Sequence, residues 1–353
     1  MALIWSWGVG EESPTLLESM GFDCSSTSTN SIEPRQTYQY RPSGGAARWS
    51  WALDHNAWVT PPVGAKPTNA MGCLTTAFFA EPGTGPWNNT TLLNIYGGNS
   101  GRNIYVQVTS GGALKLFVDN TYKATSTSTW QWSGQWHQVT LKYDMSADPW
   151  KGSVWVDGVQ AIAEQTDARV AEPSGATISF TMGQGFVNAD RATYIGQCII
   201  YDNYTDPAEN VRFVSRIAPD TDSSTTGTWA STGPNNHSVL GSDPFDAATY
   251  TENSGPPSAG DDVITTFAGN LGVALGGVPP SVDGVTVHSF STGLANTARA
   301  EVGDQAGATT TPGVTSTMSN TTTYATATAP TKPSGGAWTA TDTPKAKYEI
   351  ISV

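Results

Sequence analysis

Between Leu92 and Val159, β-branched and aromatic residues alternate with polar ones at period two, which turns one side of a strand toward a core and the other toward solvent. The pattern predicts strands over 92–96, 104–109 and 114–119. Gly97-Gly98-Asn99-Ser100-Gly101 and Ser110-Gly111-Gly112 separate them, and their glycines permit the positive φ that hairpin turns need, so an antiparallel meander is expected. Strands at 136–143 and 153–156 follow. The second leads into Asp157-Gly158, a dipeptide suited to a tight type I′ turn, and then into 159–163. The apolar run 192–201 is long and unbroken, as in a strand buried on both faces, and is expected to close the first domain.

After this the pattern changes. Asp206-Pro207-Ala208-Glu209-Asn210-Val211-Arg212-Phe213 predicts one short helix at a domain boundary. From Thr221 onward Ser, Thr, Gly, Pro and Asn dominate, broken by apolar runs at 263–267, 285–290 and 348–353. Trp229, Phe245, Phe267, Phe290, Tyr324, Trp338 and Tyr348 recur regularly, which argues for a folded domain of six or seven short strands over a disordered Thr-rich stalk. A chain of 353 residues exceeds what one core usually organises, so two domains are expected, 1–217 and an immunoglobulin-sized β domain over 218–353.

Composition supports this all-β reading. Only 13% of residues are charged while Gly and Pro are abundant, a mix favouring short strands and turns over amphipathic helices. The 13 Trp, 12 Tyr and 10 Phe supply the large apolar area that a sandwich core or a sugar-binding platform requires. A net charge of −13, concentrated after residue 218, opposes contact with nucleic acid or anionic membranes. Cys24, Cys73 and Cys198 are an odd set without metal-ligand spacing and are expected as buried thiols made in a reducing host cytoplasm. Met1 to Trp7 carries no basic residue, Glu11 and Glu12 interrupt the apolar run, and no stretch of about 18 apolar residues occurs, so neither a secretory signal nor membrane insertion is expected.

Gly134-Gln135-Trp136-His137-Gln138-Val139-Thr140-Leu141-Lys142-Tyr143, followed by Gly152-Ser153-Val154-Trp155-Val156-Asp157-Gly158-Val159, resembles the hairpin of laminin-G and concanavalin-A-like domains. Tyr194-Ile195-Gly196 to Asp202 resembles the closing strand of that family. The resemblance implies an N-terminal jelly-roll sandwich of two antiparallel sheets joined to a smaller C-terminal β-sandwich. In the second half, Asp220-Thr221-Asp222, Trp229, Gly233-Pro234-Asn235-Asn236-His237, Ala248-Thr249-Tyr250-Thr251 and Pro333-Ser334-Gly335-Gly336-Ala337-Trp338-Thr339 are similar to a module of phage and prophage structural proteins. That similarity implies a virion setting, on the outer surface of a capsid or tail.

Candidate chemistry is sparse. On the pattern alone Trp136 is expected between the sheets, with His137 on the opposite pleat at the surface and without a catalytic partner. Asp119 and Asp157 sit beside turns, where a carboxylate caps backbone amides. Glycosidases of the jelly-roll class place carboxylates in a Glu-x-Asp-x-x-Glu strand, which this chain lacks. His55, His137, His237 and His288 form no zinc motif; the lectin resemblance implies calcium as an alternative at Asn188-Ala189-Asp190, which reads first as an Asx turn, so no cofactor and no metal is expected. Trp87, Trp130, Trp132 and Trp150 fall in or near expected loops and are the candidates for contact with a glycan or another subunit.

The expectation is a non-enzymatic virion structural protein, a capsid decoration, tail or fibre component with a lectin-like domain facing outward. Its expected partners are other virion proteins and further copies of itself, with a trimer as first expectation because strand edges repeat in each copy. A host-glycan-binding adhesin is the alternative, and a glycoside hydrolase a more remote one.

Overall fold

A computed structural model describes residues 3–8, 17–18, 22–24, 32–40, 48–53, 58–62, 70–82, 89–97, 101–169, 171, 178–183, 193–202, 214, 219–232, 251–253, 259, 262–267, 282–291, 297–305, 310–313, 316–317 and 323–352. The chain separates into two compact units, one comprising Met1–Glu18, Phe22–Arg41 and Ala47–Val214 and the other built on Ser215–Val353. Trp87, Asn188-Ala189-Asp190 and the expected helix at 206–213 lie outside the described residues.

The first unit begins with strands β1 (Leu3–Gly8), β2 (Asp23–Cys24), β3 (Ile32–Tyr40), β4 (Arg48–Leu53), β5 (Val59–Thr60), β6 (Met71–Ala80), β7 (Thr90–Gly97) and β8 (Arg102–Val108). It continues with β9 (Leu114–Val118), β10 (Thr121–Thr125), β11 (His137–Asp144), β12 (Trp150–Val156), β13 (Val159–Asp167), β14 (Ile178–Met182) and β15 (Thr193–Tyr201). Sheet A runs β13-β12-β11-β6-β15-β4-β3, with β1 also on β15, and sheet B runs β10-β9-β8-β7-β14-β5-β2. The pairings are antiparallel, so the unit is a jelly-roll sandwich of two antiparallel sheets.

The period-two pattern becomes burial. In β8, Ile104, Val106 and Val108 are buried while Tyr105 and Gln107 are not, and β9 and β14 alternate likewise. The buried sides of the sheets meet: the Tyr143 and Phe180 rings, one from each sheet, pack edge to face at 5.9 Å. Gly152 of β12 lets sheet A come close, since a Cβ there would lie 3.1 Å from Ile104 and 3.5 Å from Leu116 and Val118. β6 and β15, in the middle of sheet A, are buried on both faces, as the unbroken run 192–201 predicted. Asp157 and Gly158 both take positive φ, 49° and 79°, the geometry of the expected type I′ turn. Asp119 and Asn120 do the same at 56° and 60°, so the strand expected through residue 119 turns one residue earlier and adds β10 to the meander.

One expectation is corrected. Trp136 does not fill the space between the sheets: it is half-buried on Phe79 and Tyr194 in a small satellite cluster. Trp5, Trp150, Tyr143, Phe78 and Phe180 fill the interior instead. The reason is register, because His137 pairs with Phe78, whose ring is wholly buried, and so places Trp136 on the opposite pleat.

The second unit holds β16 (Pro219–Thr226), β17 (Trp229–Ser231), β18 (Thr251–Asn253), β19 (Asp262–Phe267), β20 (Val285–Ser291), β21 (Thr297–Asp304), β22 (Thr310–Pro312), β23 (Ser316–Thr317), β24 (Thr323–Ala329) and β25 (Pro344–Ser352). These exceed the six or seven expected, because the added ones are two- or three-residue pairings with no hydrophobic run to announce them. The main sheet runs β16-β19-β25-β21-β22 with β23 on β21, beside the ladders β17-β18 and β20-β24. Its core gathers Val287, Ala300, Val302, Ala325, Ala327, Ala329 and Trp338. The small alanines of β24 allow a close approach that Gly313 extends, since a Cβ there would be 2.1 Å from the Thr326 carbonyl oxygen.

Candidate functional site

The solvent-facing side of sheet B carries an unbroken row of side chains across five strands. Thr181 of β14 pairs with Asn94 of β7, Asn94 with Tyr105 of β8, Tyr105 with Phe117 of β9, and Phe117 with Tyr122 of β10. Each takes the pleat opposite the core residues of its strand, so the alternation that builds the interior also builds this row. The Tyr105 and Phe117 rings stack at 4.4 Å and 7° from parallel, and Tyr122 meets Phe117 edge-on at 5.8 Å while remaining 52% exposed. A second polar row runs alongside, two residues along β8 and β9 and, across a bulge, three along β7 and β10: Thr91 pairs with Gln107, Gln107 with Lys115, and Lys115 with Thr125. Gln107 Nε2 donates to Thr91 Oγ1 at 3.3 Å and Lys115 Nζ to Asn89 Oδ1 at 3.2 Å.

At the β14 end of the row is a shallow hollow of about 100 Å³, lined among the described residues by Trp58, Thr91, Asn94, Tyr96, Thr181 and Gly183. Asn94 is 8% exposed, and its side-chain oxygen has no hydrogen-bond partner. A buried polar atom left unpaired costs about 1–3 kcal/mol. Thr181 Oγ1 lies 3.5 Å from Thr60 Oγ1. Indole and phenol rings beside an amide and hydroxyls are the chemistry that holds a sugar, whose apolar ring face packs on an aromatic while its hydroxyls are paired at the edge. Among the described residues this lining contains no carboxylate and no histidine.

Of the tryptophans picked from the sequence, Trp130, Trp132 and Trp150 lie elsewhere. Trp150 is 1% exposed within β12, and Trp132 is 5% exposed with its indole N–H donating to the Gly112 carbonyl at 3.0 Å. Buried this way, their rings offer no face to a ligand, because a short hairpin and a strap of chain cover positions that read as loops. Trp130 is half-buried, tilted against Trp132 at 6.4 Å, and its backbone N–H also donates to Gly112, whose positive φ and close carbonyl contact exclude a side chain. Trp58, Asn94, Tyr96 and Tyr105 were missed in the sequence. The signal present was the polar half of the alternation in 92–96 and 104–109, which names a face without revealing its partners.

His137 does have a carboxylate partner, contrary to the sequence reading. Its Nδ1 lies 2.6 Å from Asp157 Oδ2 and its Nε2 3.2 Å from the Gln131 carbonyl, with its ring edge-on to Trp132 at 5.1 Å. Asp157 Oδ1 also accepts from the Gln138 backbone N–H at 2.8 Å, so the carboxylate serves its turn as expected. The pair ties the β12–β13 turn to the strap carrying Trp132. Asp119 likewise does more than cap: buried in its turn, it pairs with Arg169 and, at 3.6 Å, with Arg102. The three cysteines are buried free thiols, and burial pushes Cys24 up to about 12 and raises Cys198 as well, which removes thiolate chemistry. Among the described residues no cluster of three His, Cys, Asp or Glu side chains gathers to hold a metal, and no helix is long and apolar enough to cross a membrane.

No protein-family model matches the chain, and no curated protein matches its sequence. Among solved structures it is similar to domain 4 of an extracellular arabinanase from Geobacillus stearothermophilus in complex with arabinotriose, at 12% identity and a TM-score of 0.38 over 59% of this chain and 96% of that one. It is similar to a carbohydrate esterase from Shiga toxin-encoding bacteriophage phi24B, at 12% identity and a TM-score of 0.37 over 57% of this chain and 99% of that one. Lectin II from Ulex europaeus is 9% identical with a TM-score of 0.35, over 57% of this chain and 99% of the lectin.

Proposed function

We propose that this chain is a non-enzymatic glycan-binding component of the outside of a bacteriophage particle, and that it binds through the solvent-facing side of sheet B. The observation that carries the binding is Asn94, a nine-tenths buried amide with an unpartnered oxygen, lining a hollow walled by Trp58 and Tyr96. A ligand group that reached this amide at the hollow would offset the cost of leaving it unpaired, which supports recognition there. Glycan recognition without turnover fits a lining of rings, hydroxyls and an amide, since glycoside hydrolysis requires paired carboxyl groups.

The particle setting is supported by the resemblance of residues 220–353 to phage structural modules, and by a charge of −13 that suits an external surface better than one lining packaged DNA. In this reading the second unit attaches to other virion proteins and to further copies of the chain, with a trimer expected, while the first unit reaches host glycan. The test is binding of full-length protein to a glycan array, with Asn94→Leu beside it. Binding that Asn94→Leu abolishes without altering the unfolding temperature is the expected result. An array with no signal overturns the reading. For the setting, antibody raised against the chain labels the exterior of intact particles, and labelling seen only after disruption overturns that part.

A further inference from the structure

We propose that the face takes the interior of an extended, uncharged glycan chain, laid across the strands from the Asn94 hollow to Tyr122, with sites for several successive sugar units. This rests on the glycan-binding reading above and adds to it the class of ligand.

Length is the first argument. The row Thr181, Asn94, Tyr105, Phe117, Tyr122 crosses four inter-strand steps. At about 4.8 Å per step it is about 19 Å long, far more than one sugar ring covers. Aromatic surface is the second. Because Tyr105 stacks flat on Phe117 across β8 and β9, its other ring face is turned toward β7 and Asn94, while Tyr122 stands half-exposed at the far end. The hollow and the rings are therefore parts of one track. The polar row Thr91, Gln107, Lys115, Thr125 runs beside it about 7 Å away, two residues along β8 and β9 and three along β7 and β10, whose pairings carry a bulge, placing hydrogen-bonding groups along the same line. A terminal sugar would use the hollow alone and leave this second row and Tyr122 without a role.

Charge is the third argument. The hollow is lined by neutral side chains, and the net charge of −13 repels a polyanionic glycan. Lys115, the one cation in the two rows, donates to the neutral amide oxygen of Asn89 and serves as a hydrogen-bonding group.

The experiment is titration calorimetry with hexasaccharides of β-1,4-linked glucose, xylose and mannose and of α-1,4-linked glucose, each against its disaccharide, with chondroitin and polysialic acid as acidic probes. At least one hexasaccharide is expected to bind about tenfold or more tighter than its disaccharide. Tyr122→Ala, on an exposed residue whose loss leaves the core intact, should remove most of that gain and hold the disaccharide affinity within about twofold. Equal affinity for the two lengths, a gain indifferent to Tyr122→Ala, or binding confined to acidic glycans overturns this proposal while leaving glycan binding standing. So does an absence of binding to all four series when other glycans bind on the array. Failure to bind any glycan overturns both.

Discussion

Tyr105 and Phe117 lie opposite each other on β8 and β9 with parallel rings 4.4 Å apart, on the pleat that faces away from the core. Cross-strand aromatic pairs of this kind add about 0.5–1.5 kcal/mol beyond the area they bury. Here the stack does two things: it stiffens sheet B at its least covered end, and it holds one face of Tyr105 toward Asn94. A double-mutant cycle of Tyr105→Ala and Phe117→Ala, read by denaturant unfolding, should give a coupling of about 1 kcal/mol. Strict additivity would show that the rings are neighbours without interaction.

Trp150 and Trp136 separate by burial. Trp150, 1% exposed, should cost the first unit about 3–5 kcal/mol when changed to Ala, the range for emptying a buried aromatic site. Trp136→Ala, which removes a half-buried ring from the Phe79 and Tyr194 cluster, should cost clearly less. Urea unfolding of both variants checks the order, and a larger loss for Trp136→Ala would contradict the register of β11.

Gly152→Ala tests how closely the sheets approach. Its new methyl group would sit 3.1 Å from Ile104, and over-filling a packed core costs about 1–3 kcal/mol. An unchanged unfolding midpoint for Gly152→Ala would mean that the sheets part easily there.

Lys123 of β10 and Asp167 of β13 join the edge strands of the two sheets at 2.8 Å. The hydrogen bond from Lys123 is the main cause that holds the Asp167 carboxyl below the usual aspartate range. A folded-state value below the unfolded one contributes stability that is complete above about pH 4 and fades as pH falls through the lower folded value. Lys123→Met should therefore remove part of the acid destabilisation between neutral pH and about pH 3, as followed by thermal unfolding. An identical acid profile in the variant would show that the pair contributes nothing.

The chain should release no reducing ends from any polysaccharide it binds. Retaining hydrolysis needs two carboxyl groups about 5–5.5 Å apart, and the described residues lining the hollow supply none. Turnover that is abolished by a single carboxylate substitution would reverse this.

Much of the first unit was legible in the sequence because its information is local. Alternation at period two is a property of consecutive residues, and it placed β7, β8, β9 and β11, while an unbroken apolar run placed β15. Asp157-Gly158 carried its own turn geometry, since a type I′ turn needs two positive φ angles that this dipeptide accepts. The all-β class followed from the same signals and from low charge. What tertiary structure alone decided was which distant segments share a face. Thr181 reaches Asn94 because β14 is inserted between β5 and β7, and Trp58 arrives at the same hollow through β5. The fate of the tryptophans was equally non-local: Trp150 and Trp132 look like loop residues until the opposite sheet and the Gly112 carbonyl close over them. A side chain's period says which way it points, but only the pairing order of the sheets says what it meets there.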